Sequence, residues 1–137
     1  MAALLKMSEA TALGLHAMVL AARARGAISA PALAEELRAS GAHVAKVLHA
    51  LTRAGLLESK RGPGGGYILA RSASKTTLLE VYETLEGSVR RDGCLFAKPV
   101  CEQIGCILGS LVERVRNEVI EYLATTTLED AANGPRR

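Results

Sequence analysis

Between positions 56 and 70 the chain reads Leu-Leu-Glu-Ser-Lys, then Arg61-Gly62-Pro63-Gly64-Gly65-Gly66, then Tyr-Ile-Leu-Ala. Four glycines and a proline within six residues rule out a helix there and suit a hairpin loop between short strands at 56–60 and 67–70. The residues before it are helical and well punctuated. Ser29 can cap a short helix over 31–38, with Pro31 tolerated in its first turn. Ser40 opens another over 41–54, whose Val44, Val47, Leu48 and Leu51 fall on one face. Two short helices across a tight break form a helix-turn-helix, and a hairpin directly after them makes it winged. The expected fold is mainly α with a small β-hairpin wing.

Ser8 caps a first helix to about residue 25, and Thr76 or Thr77 caps one over 78–86 that Gly87 stops. From about 104 to 124 an i, i+3/i+4 stripe of Ile107, Leu108, Leu111, Val112, Val115, Val119, Ile120 and Leu123 predicts a long helix. One small domain has little room for it, so it is read as a dimerisation helix. A short turn at 128–131 follows, and the tail then frays. The expected organisation is a winged helix-turn-helix domain at 1–87, a sensor loop at 88–106, and a dimerisation helix with tail at 104–131.

Charge is unevenly spread. Residues 23–71 hold eight Arg and Lys against three Glu, a net +5 within a chain of +3, so the remainder is −2. A basic middle fits a polyanion, and a near-neutral remainder fits protein. No apolar run reaches the roughly 18 residues of a membrane span, and residues 1–25 do not read as a signal peptide. The expected location is the cytoplasm. Aromatic residues are too few and scattered for single-stranded base stacking, which leaves duplex DNA as the expected nucleic acid.

Within the module, the N-terminal residues of a recognition helix meet base edges. Ser40, Ala42, His43 and Lys46 are therefore candidate major-groove contacts. Small Ala42 permits close approach, while His43 and Lys46 can donate to guanine or phosphate. Arg61, at the wing edge, is placed to enter a minor groove, and Lys60 to contact phosphate. The glycine run lacks the order of a nucleotide-binding P-loop.

All three cysteines, Cys94, Cys101 and Cys106, lie within 13 residues, separated by six and four. An odd count suits a disulfide framework poorly and suits metal or redox chemistry better. Thiolates are soft ligands for iron–sulfur clusters and zinc, which both prefer four ligands. The fourth ligand is open among Glu9 or His16 of the first helix, reached across a dimer, and a local Glu102. Cys106 is expected near the start of the long helix, where the dipole favours a thiolate.

The stretch from Leu51 through "RGPGGGY" to Tyr67 closely resembles the wing signature of the Rrf-two family of bacterial regulators. The likeness extends over roughly residues 4–130, including the cysteine window and the long C-terminal helix. The resemblance implies a homodimeric winged-helix transcriptional regulator, most often a repressor. It also implies a 2Fe–2S or 4Fe–4S cluster on Cys94, Cys101 and Cys106 that reports redox, nitric oxide or iron status and is readily lost on purification. Glu9, from the partner chain's first helix, is the fourth ligand it favours. The family's even cysteine spacing of five and five is here six and four, and no histidine closely follows Cys106. The same DNA-binding regulator switched by thiol oxidation or zinc is the alternative. A protein-interaction module or small redox protein is the alternative of a different class. No acid–base pair or Ser, His, Asp spacing supports an enzyme.

Overall fold

The structure, a computed structural model, describes residues 5–89, 93–101 and 105–134. Among the described residues six α-helices and one hairpin follow in order: α1 (Glu9–Arg23), α2 (Ala30–Leu37), α3 (Gly41–Arg53), β1 (Leu57–Lys60), β2 (Gly66–Leu69), α4 (Leu78–Glu86), α5 (Leu111–Thr125) and α6 (Leu128–Ala132). A single 3-10 turn, Ala73–Lys75, links the hairpin to α4. This is a winged helix-turn-helix, as the residue pattern predicts.

The caps act as foreseen. Ser8, Ser29, Ser40 and Thr77 each present a side-chain oxygen that accepts a backbone N–H of the first turn, satisfying a donor the helix cannot. One apolar core joins α1–α4 and α6 to the wing. Met18 of α1, Leu33 of α2, Leu48 and Leu51 of α3, Leu57 of β1 and Val81 of α4 are all inaccessible or nearly so. Burying a side chain of this size stabilises the fold by roughly 1.5–3 kcal/mol.

The strands pair antiparallel, Leu57 with Leu69 and Lys60 with Gly66. Ile28 adds a rung on the other edge of β2: its N–H donates to Tyr67 O at 3.0 Å and its carbonyl accepts from Tyr67 N at 2.8 Å. Gly66 makes that rung possible. It has φ 150°, and a Cβ there would stand 2.4 Å from Ile28 O.

Two expectations are corrected. The long helix begins at Leu111, not near 104, and Ser110 precedes it without a side-chain cap. Gly109 (φ 59°) sits in the turn before it, donating its N–H to Cys106 O at 2.9 Å. The apolar periodicity of Ile107 and Leu108 thus runs through a turn rather than a helix; residue 104 lies outside the described residues. The second correction concerns the tail. Residues 128–132 form α6 with a full capping box between Thr127 and Asp130, and Leu128 is completely buried in the core. Thr77 and Thr127 form a β-bridge, with Leu78 N donating to Thr126 O and Leu128 N to Thr76 O, both at 2.9 Å.

Candidate nucleic-acid interface and cysteine segment

The α2–α3 corner is tight. Arg38 closes α2 in the left-handed region (φ 51°), and the N–H of Ala39 returns to Ala34 O at 3.0 Å. Ser40 then accepts from His43 N at 3.1 Å, which fixes the first turn of α3. Helix α3 buries Val44, Val47, Leu48 and Leu51 and turns Ala42, Ala45, Lys46, His49 and Arg53 to solvent. No acidic residue occurs in α3, so the positive potential along this line has no counter-charge on its own helix.

Of the residues expected to meet DNA, the cap Ser40, Ala42 and Lys46 on α3, and Lys60 and Arg61 on the wing are exposed; His43 is half-buried. His49 and Arg53 were not foreseen. They follow Lys46 at i+3 and i+7, so helical periodicity carried forward from Lys46 would have found them. At the wing, Lys60 is the last paired residue of β1, and Arg61 starts the loop that Gly65 N closes onto Gly62 O at 2.9 Å.

The cysteines are free thiols, with Cys94 and Cys101 half-buried and Cys106 exposed. Cys94 is held from two sides. Its sulfur accepts from Phe96 N at 3.4 Å, and its carbonyl accepts from Arg116 Nη1 at 2.6 Å. Arg116 is only 3% exposed although it lies in α5. It occupies a stripe position between Val112 and Ile120, where the pattern called for an apolar side chain, and that misfit was the available signal. Cys106 lies five residues before the first residue of α5, so the helix dipole does not act on it as expected.

Glu9 is exposed in the first turn of α1. His16 is exposed too, and its Nδ1–H donates to Ala12 O at 2.7 Å. Glu102 lies outside the described residues. Among the described residues no three His, Cys, Asp or Glu side chains form a metal-holding group. The donor set of three free thiols fits an iron–sulfur cluster or zinc in kind; within one chain it does not converge.

The N-terminus of α1 is tied to the end of α4, just upstream of the cysteine segment. Glu86 accepts from Ser8 N at 2.7 Å and from Thr11 Oγ1 at 2.6 Å, with Lys6 Nζ at 3.7 Å. Its side chain is 4% exposed. Hydrogen bonds from Ser8 and Thr11 hold its carboxyl down to about 2, against the upward push of burial. Tyr82, one turn before, donates to Lys6 O. Burial, then the Glu86 charge, raise the Tyr82 phenol above its usual range.

The model of the Rrf2 family (Rrf-two above), described as an iron-dependent transcriptional regulator, matches residues 7–134. BadM of Rhodopseudomonas palustris, which bears the name of an HTH-type transcriptional regulator, is 42% identical over 83 residues. That alignment covers 60% of this chain and 53% of BadM, about half its length. CymR of B. subtilis, described as a global cysteine regulator, superposes with TM-score 0.80 at 28% identity, over 96% of this chain and 99% of CymR. IscR of T. potens superposes with TM-score 0.73 at 30% identity, over 94% of this chain and 87% of IscR. The relatives are regulators, not enzymes.

Proposed function

Since the chain belongs to the Rrf2 family of transcriptional regulators, we propose that it acts as a homodimer on duplex operator DNA, mainly as a repressor in the cytoplasm, and that its cysteine segment is the sensor. The observation that carries the DNA reading is the exposed, acid-free line of α3 with Lys46, His49 and Arg53, beside a wing bearing Lys60 and Arg61. Ser40, Ala42, His43 and Lys46 meet the major groove, and Lys60 and Arg61 the backbone and minor groove. Fluorescence anisotropy on a labelled duplex tests this. Affinity should fall roughly a hundredfold from 50 to 200 mM salt if about four phosphates are neutralised. Salt-independent binding would reject it.

Dimerisation through α5 is supported by its outer line. Leu111 is 44% and Tyr122 53% exposed, eleven residues apart and therefore on one face. Beside Tyr122 runs an apolar groove of about 460 Å³ lined by Leu15, Val19, Leu20 and Leu37. A second copy would cover both.

For sensing, Cys94, Cys101 and Cys106 would hold an iron–sulfur cluster, with Glu9 of the partner subunit as fourth ligand. Bound there, the cluster would supply a redox couple and, at the iron held by the carboxylate, a ligand weaker than thiolate that a small molecule could displace. What the chain itself does is position the donors: Arg116 anchors the Cys94 backbone to α5, and the Ser8–Glu86 hydrogen bond holds the first turn of α1, where Glu9 sits. The alternative, thiol oxidation or zinc at the same cysteines, is favoured by the free, exposed Cys106 and by the likeness to a cysteine regulator. Iron and sulfide analysis on protein purified without oxygen, beside Cys101→Ala, separates them. Iron and sulfide lost in the variant support the cluster; iron-free wild type that also resists reconstitution supports the thiol or zinc switch.

A further inference from the structure

The chemistry of the exposed line of α3 is one-sided. It offers the methyl groups of Ala42 and Ala45 and the nitrogens of Lys46, His49 and Arg53. Neither a carboxylate nor a carboxamide occurs anywhere in the helix. Each base edge in the major groove asks for a different complement. Cytosine presents an amino donor that suits a carboxylate, and adenine a donor–acceptor pair that suits Asn or Gln. Guanine presents two acceptors, and thymine an acceptor beside a methyl group. Helix α3 lacks the first two complements and carries the last two. Ser40 accepts from His43 N through one lone pair and keeps its O–H, so it can add a single donor toward a guanine or thymine acceptor, but it supplies neither the carboxylate that suits cytosine nor the carboxamide that suits adenine.

Resting on the DNA-binding reading above, we propose that α3 selects thymine by methyl contact with Ala42 and Ala45 and guanine by donation from Lys46. Ala42 and Ala45 are one helical turn apart in the N-terminal half of α3, the part of a recognition helix that reaches base edges. Lys46 follows Ala42 at i+4 on the same line, so a single docking pose serves all three. A methyl against a methyl removes apolar surface from water and strands no polar group, so these alanines contribute discrimination that a purely phosphate-bound helix would lack. Half-sites should therefore be rich in thymine and guanine on the strand read by α3.

The test uses duplex DNA selected by the full chain from a random pool. Half-site thymines are replaced one at a time by uracil, which deletes only the 5-methyl group and leaves the protein untouched. Wild-type affinity should drop about fourfold at a read position. That drop should vanish in Ala42→Gly or Ala45→Gly, whichever faces the base. Replacing half-site guanine by 7-deazaguanine should weaken wild type but not Lys46→Met. Salt-sensitive binding without thymine–uracil discrimination, or discrimination that survives both glycine variants, overturns the proposal and leaves DNA binding standing. Absence of salt-sensitive binding to selected or random duplex overturns the DNA-binding reading itself.

Discussion

Arg38 places a bulky side chain in left-handed backbone, the sole non-glycine to do so among the described residues. That conformation costs an L-residue roughly 1 kcal/mol relative to glycine, yet the position keeps a solvent-exposed cation in the turn that leads into α3. Arg38→Gly should therefore hold or raise the unfolding midpoint while weakening duplex binding severalfold; anisotropy and thermal melts on the same sample would read the two effects. Glu86 works the other way. Its folded carboxyl titrates at about 2, well below the ordinary value of 4.5, so its contribution is fully present above pH 4.5 and is lost as pH falls toward 2. Glu86→Gln should cost about 1–2 kcal/mol at neutral pH and flatten the acid limb of a stability–pH profile. An unchanged acid limb would show that the Ser8–Glu86 tie is not what acid breaks. The sequence marks Arg116 as a charge on an apolar stripe and gives no sign of Glu86, and it assigns neither of them a partner. Their partners lie 75 to 78 and 22 residues away, and a local pattern carries no information about such distances.

At the scale of elements, the wing and α3 were legible because each is dictated locally: a serine cap and four apolar positions for the helix, a glycine–proline run for the loop. Helix α5 was legible in type but not in start. Periodicity in 104–110 is apolar enough for a helix, and the left-handed backbone at Gly109 decides against it. Helix α6 is five residues long and cannot be stable alone; only its docking through Leu128 makes it regular, and that docking is tertiary. The wing's weak point is Gly66. Its Cβ position is blocked by backbone atoms of Ile28 and Ser29, which cannot step aside as a side-chain tip can. Gly66→Ala should break the Ile28–Tyr67 rung and lower stability by roughly 2 kcal/mol. Denaturant unfolding measures the loss. A change below about 0.5 kcal/mol would mean the rung contributes little.

For the whole molecule, the proposed dimer makes a prediction about independence. Tyr122→Glu sits on the outer line of α5, away from the buried Val112, Ile120 and Leu123. It should yield a monomer with native helix content and operator affinity at least about tenfold weaker, since two half-sites could no longer be engaged together. Sedimentation and anisotropy would check both halves of that statement. The candidate cysteine site was legible as a cluster of ligands but not as a geometry, because convergence within a dimer depends on a second surface that one chain's residue order does not specify.

The hydrogen bonds joining Leu78 to Thr126 and Leu128 to Thr76 have a topological meaning. They clamp the start of α4 to the end of α5, so the segment between these two helices, which carries the three cysteines, is closed at its base, while α4 itself stays in the core through Val81. Such a closed excursion can be rewritten, in length or in chemistry, while its anchor points stay where they are. If the cysteine segment is the sensor proposed above, a chain built this way could change what it senses and keep the same reader of DNA.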